Sequence, residues 1–250
     1  MPEPARRIRV FAFVTDFRVG GTERQFATLA SALDRSRFEL HLACFRRVGQ
    51  FLDDILPHVA SIREYPIRRL YHPGTLVSVA RCARDMRRLS IDVFHAYGFY
   101  PNVFGLASAR LARVPVALAS IRDTGDHLTT LQKRLQKGAC RFATGILVNA
   151  EAVRKSLLDQ GYVGERICVV PNGISVSRFA PGAESLRAAL GLERDAMVVT
   201  LLGRLNRLKG AEYFVEAAAR VAPRPQGFRS TSEYPSRRGT SHRVRRRKIE

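Results

Sequence analysis

The feature that most constrains this 250-residue chain is the regular alternation of short apolar runs with longer segments of helical periodicity. The first run, Ile8–Thr15, is β-branched and aromatic-rich and is bounded by turn residues, which is typical of a buried strand. Further strands are predicted at 38–45, 62–65, 92–96, 116–120, 145–149 and 166–170. Helices are predicted between them, at 22–33, 51–60, 76–89, 102–113, 128–143 and 151–160. The rhythm predicts an α/β, Rossmann-like fold with a doubly wound, mostly parallel sheet.

The first helix has a predicted start and a predicted buried face. Thr22 and Gln25 fit a capping box, in which each side chain accepts a hydrogen bond from the backbone N–H of the other residue. The apolar residues that follow at helical spacing are Phe26, Leu29, Ala30 and Leu33.

Turn residues then divide the chain into regions. Pro171-Asn172-Gly173 interrupts the alternation, and Pro181-Gly182 interrupts it again. A new strand at Met197–Leu202 and a helix at Ala211–Val221 indicate a second Rossmann-like unit that is incomplete. A short helix is also predicted at 185–190. The predicted organisation is an N-terminal domain at 1–170, a linker at 171–184, the start of a second domain at 185–222, and a basic tail at 223–250.

The charge balance points to an anionic partner. Lys and Arg number 42 against 22 Asp and Glu, a formal charge of +20. Residues 223–250 hold eight Arg, one Lys and two Glu with few large apolar residues, so this tail is predicted to be disordered. The composition of this tail resembles the product of another reading frame. A foreign tail that follows a truncation would have the same composition.

The cysteines and the hydropathy pattern exclude other classes. Cys44, Cys82, Cys140 and Cys168 lie far apart and form no C-x-x-C pair, so neither a zinc knuckle nor a disulfide framework is expected. Free, partly buried thiols of a cytosolic protein are the expectation. No stretch is apolar enough to cross a bilayer, which predicts a soluble protein or one on a membrane surface.

Two glycine-containing turns are candidate phosphate sites. Gly20 and Gly21 follow the first strand and precede a helix, where the backbone can approach an anion closely. Arg204 and Lys209 flank a loop between the strand and the helix of the second unit, and both could reach one diphosphate. The alternatives are a plain tight turn for the first and a solvated basic loop for the second.

Three motifs together resemble one enzyme family. Gly20-Gly21-Thr22-Glu23, Val169–Ile174 with the downstream Phe179, and Gly203-Arg204-Leu205 with Lys209-Gly210 occur in that order. The combination resembles family 4 retaining glycosyltransferases of the GT-B fold, over about residues 8–222. The resemblance implies a nucleotide-diphosphate sugar donor held mainly by the second domain and an acceptor held mainly by the first.

The resemblance also implies roles for single residues. Gly20 and Gly21 match the turn that faces the donor phosphate and the acceptor, and Arg204 and Lys209 match the basic pair that neutralises the departing diphosphate. Such enzymes need no divalent metal for that task, and the Asp-x-Asp motif of the rival GT-A design does not occur in this sequence. No metal and no other cofactor is expected.

Two residues at predicted strand ends are further candidates. His95 matches a segment in which the family often carries a histidine near the acceptor, and it is the candidate catalytic residue. Many members have a second histidine two residues on, where this chain has Tyr97. Arg122 suits an anionic acceptor. The alternative for His95 is a core or rim histidine without a chemical role. The alternative for Arg122 is a structural salt bridge.

Departures from the family pattern lower the activity expected of this chain. Ser175 replaces the usual acidic residue after Asn-Gly-Ile, a minor change. No E-x(7)-E segment, which in the family engages the ribose and the sugar, occurs in the sequence. The donor site is therefore expected to be about half built, and the chain to transfer little or no sugar.

Two basic helices suggest a membrane surface as a partner. One predicted helix carries the basic residues Arg81, Arg84, Arg87 and Arg88. Another carries Lys133, Arg134, Lys137 and Arg141, and its apolar positions include Leu128, Leu131, Leu135 and Ala139. Basic amphipathic helices bind anionic membranes, although a solvated helix face has the same pattern.

The sequence therefore predicts an enzyme that lies in the cytoplasm or peripherally on the inner face of the cell membrane. It would transfer a sugar with retention to a lipid-linked or polysaccharide acceptor of the cell envelope. The alternative is a non-catalytic basic protein that binds nucleic acid or another polyanion through its Arg-rich end. The charge extends over the α/β body and no helix-turn-helix, zinc or RNP signature occurs, so nucleic acid is the weaker partner.

Overall fold

A computed structural model describes residues 6–67, 70, 72–174, 176, 191, 193, 197–203 and 209–221. The chain divides into two compact units, 1–179 and 180–250, each of which is described by itself.

The first unit is built on a parallel sheet. Its described residues form seven strands, in the order β3-β2-β1-β4-β5-β6-β7 across the sheet. Their bounds are β1 Ile8–Val14, β2 Phe38–Cys44, β3 Ser61–Glu64, β4 Val93–Tyr97, β5 Val116–Ile121, β6 Gly145–Val148 and β7 Ile167–Val169. β1 lies centrally, where Val10 is in register with Leu40 of β2 and Val93 of β4. The predicted doubly wound parallel sheet is confirmed, and every predicted strand of this unit is present within a few residues of its expected bounds.

The helices cover both faces of the sheet. Their bounds are α1 Gly21–Ala32, α2 Leu52–Ile55, α3 Pro73–Arg88, α4 Phe99–Ala112, α5 Thr130–Cys140 and α6 Glu151–Asp159. The single helix predicted at 51–60 is wrong, because α2 ends after one turn and a 3₁₀ turn, Leu56–His58, follows it. Pro57 explains the change, since proline lacks an N–H and its ring would clash with the carbonyl four residues earlier in an α-helix.

The predicted capping box at the start of α1 is also wrong. Gly20 is the N-cap, and no side chain caps the helix. The Gln25 side chain instead donates a hydrogen bond to the carbonyl of Gly173, at 2.8 Å. A capping box does occur at α5, between Thr129 and Gln132, where the sequence analysis placed none. Gln25 thus forms a long-range contact instead of a local one.

β1 packs hydrophobic side chains on both faces of the sheet. Phe11 and Phe13 belong to one core cluster, and Ala12 and Val14 to the other. Phe13 lies at the centre of an aromatic group with Phe45, Tyr65 and Phe104, whose ring centroids are 4.8–6.0 Å from its own. A strand that is buried on both faces must be apolar throughout, which is why its sequence reads as a continuous run.

The four cysteines are free thiols. Cys44, Cys82 and Cys140 are buried, whereas Cys168 is exposed. Burial raises the pKa of each buried thiol to about 12. These three side chains therefore act as small apolar core residues.

The second unit contains the helix α7, Ala211–Val221, at the predicted position. The strand predicted at Met197–Leu202 is wrong, because these residues adopt no regular structure. A strand needs a hydrogen-bonded neighbour, and none of the residues that the structure describes pairs with this segment; Met197 and Leu202 are 92% and 97% exposed. The predicted helix at 185–190, Arg204 and the predicted tail at 223–250 lie outside the described residues.

Candidate functional site

The topology of the first unit locates a crevice. From β1 the sheet continues through β2 and β3 on one side and through β4 to β7 on the other, so the strand order reverses between β1 and β4. In doubly wound sheets, ligands bind at the carboxyl ends of the strands at this switch point. The loops that follow β1, β4 and β5 therefore border the candidate site.

The Gly20–Gly21 turn forms the β1 side of this crevice. Gly20 is extended, and α1 begins at Gly21, so the first N–H groups of the helix point toward the crevice end of the sheet. The Glu23 carboxylate folds back over Gly20, where an added side chain would collide with it. This packing leaves no room for a Cβ at Gly20 unless Glu23 moves, whereas Gly21 has open space around it.

The β4 side of the crevice begins with a glycine whose backbone requires it. Gly98 follows β4 with φ +90°, and its N–H donates to the Ser120 carbonyl at 3.1 Å. Residues with a Cβ rarely adopt this conformation. Gly98 also precedes α4 as its N-cap, so it directs the chain away from the crevice.

Arg122 and the Pro-Asn-Gly stretch meet at the end of β5. The Arg122 guanidinium donates a hydrogen bond to the Asn172 side-chain oxygen, and Gln25 holds the adjacent Gly173 carbonyl. Burial lowers the pKa of Arg122, while the nearby Tyr97 and Glu23 oppose that shift. The structure therefore brings together the start of α1, the end of β5 and the Asn172–Gly173 stretch, three segments that are far apart in the sequence.

His95 lies below the rim of the crevice. It is the third residue of β4, in register with Ala12 and Leu118. Its Nε2 is hydrogen-bonded to the Ser120 hydroxyl at 2.8 Å and its Nδ1 to the Tyr97 hydroxyl at 2.9 Å.

The surroundings of His95 keep its imidazole neutral. Burial, with a smaller contribution from Arg122, lowers its pKa to about 3. The ring lines a cavity of about 140 Å³ beneath α1, together with apolar side chains that include Phe26 and Leu40. A neutral ring with both nitrogens hydrogen-bonded is what a histidine without a chemical role would show. A catalytic role for His95 stays a prediction.

An ionic cluster that was not predicted from the sequence lies beside the Gly20–Gly21 turn. Asp16, 5% exposed, accepts a hydrogen bond from Arg18 Nε at 3.0 Å and one from Arg46 Nη2 at 3.3 Å. Burial alone would raise the pKa of Asp16, but the hydrogen bonds from Arg18 and the charges of both arginines lower it below its usual value. The sequence feature that could have indicated this cluster is an acidic residue directly after a buried strand, at the edge of the sheet where ligands bind.

The second unit contributes one predicted site residue to the described part of the chain. Lys209 is exposed and lies just before α7, and its aliphatic stem lies 3.5–3.7 Å from the position of a Cβ added at Gly203. The two residues therefore lie side by side, as the predicted loop requires. A role for Lys209 in phosphate binding stays a prediction.

Within the described ranges, no three His, Cys, Asp or Glu side chains lie together in a way that could hold a metal ion. Nor is any helix in that part of the chain long and apolar enough to cross a membrane.

Comparison with known proteins identifies the family. The model of Glycosyltransferase Family 4 matches residues 19–178, which is more than half of the chain. The chain is 24% identical over 216 residues to the Escherichia coli UDP-Gal:alpha-D-GlcNAc-diphosphoundecaprenol alpha-1,3-galactosyltransferase, covering 80% of this chain and 54% of that enzyme. It is 28% identical over 180 residues to D-inositol 3-phosphate glycosyltransferase of Corynebacterium urealyticum, covering 66% of this chain and 41% of the relative.

Solved structures agree at the level of the fold. Anabaena HepE, crystallised with UDP and glucose, superposes with a TM-score of 0.73 at 20% identity, over 87% of this chain and 59% of HepE. Sucrose-phosphate synthase of Thermosynechococcus elongatus superposes with a TM-score of 0.66 at 18% identity, over 86% of this chain and 60% of the synthase. The chain thus spans about half the length of the relatives that it matches. With the family model covering 19–178 and the sheet matching GT-B structures, the chain belongs to glycosyltransferase family 4.

Proposed function

We propose that this protein takes part in transferring a sugar from a nucleotide-diphosphate sugar to a lipid-linked or saccharide acceptor, with retention of the anomeric configuration. One observation carries the proposal. The Gly20–Gly21 turn, Arg122 and the Asn172–Gly173 stretch, predicted separately from the sequence, converge at the switch point of the sheet. Catalysis by positioning needs such a preorganised edge, because fixing two substrates together can supply roughly 7–11 kcal/mol of the barrier.

The donor is proposed to bind through its diphosphate. Arg204 and Lys209 would neutralise the charge that develops on the departing diphosphate. The Gly20–Gly21 turn, with the free N–H groups at the start of α1, would be a further phosphate-binding element. In support, HepE was crystallised with UDP, and the Escherichia coli relative is named for UDP-Gal. In this proposal residues 1–170 form the acceptor-side domain, 171–184 a linker and 185–222 the start of the donor-side domain. The boundary between the two compact units, at 179, lies within that linker.

Surface chemistry supports the proposed acceptor and location. Arg122 would contact the acceptor, and His95 would lie behind it. We propose that the protein works in the cytoplasm on the inner face of the cell membrane, in cell-envelope polysaccharide synthesis. Leu131 and Leu135 of α5 are 66% and 42% exposed beside Arg134, which supports binding to an anionic surface. Arg81 and Lys137 support it less, because they lie against the rings of Tyr65 and Tyr162.

Donor binding is the direct test. Saturation-transfer NMR detects weak ligands, so the 250-residue chain is mixed in turn with UDP-glucose, UDP-galactose, GDP-mannose and ADP-glucose. We expect saturation transfer to the nucleotide of at least one donor, competition by the free nucleotide, and a loss of signal in the double variant Arg204→Ala, Lys209→Ala. Arg220→Ala, an exposed position on α7, is the matched control and should keep the signal. Absence of signal from every nucleotide sugar, together with tight salt-sensitive binding of nucleic acid, would reject the proposed function.

A further inference from the structure

The ionic cluster at the ends of β1 and β2 is built asymmetrically. Its carboxylate, Asp16, is buried, but the side chains of its two arginine partners, Arg18 and Arg46, are 59% and 58% exposed. One buried negative charge therefore holds two guanidinium groups at the surface. Within the described residues, the hydrogen bonds to Asp16 use two of the five side-chain N–H groups of Arg18 and one of those of Arg46. Most donors of both groups are left for another acceptor.

The backbone around the cluster is rigidly tied. The Phe17 N–H donates to the Val48 carbonyl at 2.8 Å, and the Phe51 N–H donates to the Phe17 carbonyl at 3.0 Å. Gly49, with φ +133°, packs directly against the backbone of Phe17. The loops after β1 and β2 therefore form one platform, defined here as residues 15–19 and 45–51. A side chain anchored on it needs little ordering when a ligand binds.

Other charged groups lie near the platform. Glu23 interacts electrostatically with both Arg18 and Arg122, so it lies between the platform and the β5 side of the crevice. On the β2 side, Arg47 and Glu64 lie near Cys44. Arg24 also lies there, 5.1 Å from the ring centroid of Phe51. Among the groups named here, the five guanidinium groups of Arg18, Arg24, Arg46, Arg47 and Arg122 outnumber the three carboxylates of Asp16, Glu23 and Glu64. The arginines of the platform are exposed, whereas its own carboxylate is not.

We infer that the platform binds the phosphate or diphosphate group of a phosphorylated acceptor, through Arg18 and Arg46. The inference rests on the proposed function, which it makes more specific. Guanidinium groups bind phosphate oxygens through paired N–H groups, and two guanidinium groups fixed by one carboxylate suit an extended diphosphate. The names of two relatives agree with this chemistry, since one acts on a diphosphoundecaprenol-linked sugar and the other on inositol 3-phosphate.

Asp16 has a positioning role in this arrangement. It is buried and holds both arginines by their side chains, so it acts on the ligand only through them. Removing its charge would free both guanidinium groups to rotate. Arg18 and Arg46 are then the specificity-determining residues, and a neutral acceptor would leave their donors without acceptors.

The test titrates the full chain with inorganic phosphate and with inorganic pyrophosphate at low salt, by calorimetry and by NMR of the arginine Nε–Hε groups. All proteins carry Arg204→Ala and Lys209→Ala, so the predicted donor loop does not contribute. Pyrophosphate should bind more tightly than phosphate if the ligand is a diphosphate ester, and about equally if it is a monoester. Either result requires Arg18 and Arg46.

The expected effects are large and selective. Adding Arg18→Ala and Arg46→Ala should weaken anion binding at least about tenfold, given the strength of charge-assisted hydrogen bonds. Arg110→Ala on α4 removes an exposed guanidinium elsewhere and should leave anion binding unchanged. Asp16→Asn should weaken binding in the folded protein and shift the Arg18 Nε–Hε signal toward that of a free side chain. A purely structural Asp16 would lower stability and leave anion binding by the folded protein unchanged.

The outcomes separate this inference from the proposed function. If each anion binds as tightly to the variant without Arg18 and Arg46 as to the protein that has them, the inference is overturned. That holds whatever the nucleotide-sugar experiment shows. Failure of all nucleotide sugars to bind, with anion binding still dependent on these two arginines, would reject the donor and leave the phosphate site standing. Loss of anion binding in Arg110→Ala as well would show a nonspecific charge effect and would also overturn the inference.

Discussion

Gly49 is the position at which one added methyl group should do the most damage near the crevice. Its φ of +133° lies in a region that residues with a Cβ occupy only at a cost of about 1–3 kcal/mol. A Cβ there would also overlap the Phe17 backbone, so the two loops would have to separate. Separation would break the hydrogen bonds of Phe17 with Val48 and Phe51, each worth about 0.5–1.5 kcal/mol. The sum predicts that Gly49→Ala loses roughly 2–6 kcal/mol of a total of about 5–15 kcal/mol.

Urea denaturation followed by far-UV circular dichroism measures this loss as a lower midpoint at an unchanged slope. Gly138→Ala is the matched control, because Gly138 is exposed within α5 and an added Cβ there meets no atom within 4 Å. That variant should gain about 0.5–1 kcal/mol through helix propensity. A free energy of unfolding for Gly49→Ala within about 1 kcal/mol of the parent would refute the reasoning, because the loop would then tolerate both the strain and the overlap.

Acid titration, thiol labelling, deletion and turnover each test a separate feature. Because the pKa of His95 is about 3 against an ordinary 6.5, the unfolded chain binds a proton that the folded chain does not, and stability should fall as the pH drops from 6.5 to 3. The full shift corresponds to roughly 5 kcal/mol, and partial exposure reduces the expected loss to about 2–3 kcal/mol relative to His95→Gln. Cys168 should be alkylated quickly, and the three buried cysteines only on unfolding. Deleting residues 223–250 should change the melting temperature by no more than about 2 °C, because their composition supports no packed core. The 250-residue chain should transfer little or no sugar from any nucleotide sugar. The resemblance implies that an E-x(7)-E segment binds the ribose and the sugar, and the sequence contains no such segment.

Each of these expectations has a clear contrary result. Parallel stability curves for the parent and His95→Gln between pH 3 and 6.5 would mean that the imidazole is protonated when folded. Rapid labelling of more than one thiol would contradict the burial of the other three. A large drop in melting temperature on deletion would show that residues 223–250 pack, and steady turnover would show that the donor site is complete.

The layered fold was predictable because it follows from local patterns. Strands such as β1 are apolar on both faces, and helices such as α4 fill the intervals between them, so the alternation determines a parallel sheet. Two local predictions were wrong, one for a local reason and one for a long-range reason. Pro57 ends the helix that the pattern of 51–60 predicts. Gln25 has the spacing of a capping residue but donates its hydrogen bond to Gly173. A capping motif in the sequence cannot reveal a competing partner 148 residues away.

The candidate site was predictable only in part. The location of Gly20, Gly21 and Arg122 at the crevice was predictable because strand ends and glycine turns mark the crevice in a doubly wound sheet, whereas their roles stay predictions. The pairing of Arg122 with Asn172 depends on how β5 and β7 are placed in one sheet, which the sequence does not display. The hydrogen bonds that engage both nitrogens of His95 come from Ser120 and Tyr97, and only three-dimensional contacts reveal them.

The central place of β1 has a consequence for biosynthesis. Val10 pairs with Leu40, 30 residues later, but also with Val93, 83 residues later. At about 5–20 residues per second, a ribosome needs roughly 4–17 s to make the chain between Val10 and Val93. During that interval one edge of an apolar strand has no neighbour, and unpaired strand edges are prone to aggregate. The nascent chain should therefore depend on chaperones until β4 emerges, and only then can the sheet close around its first strand.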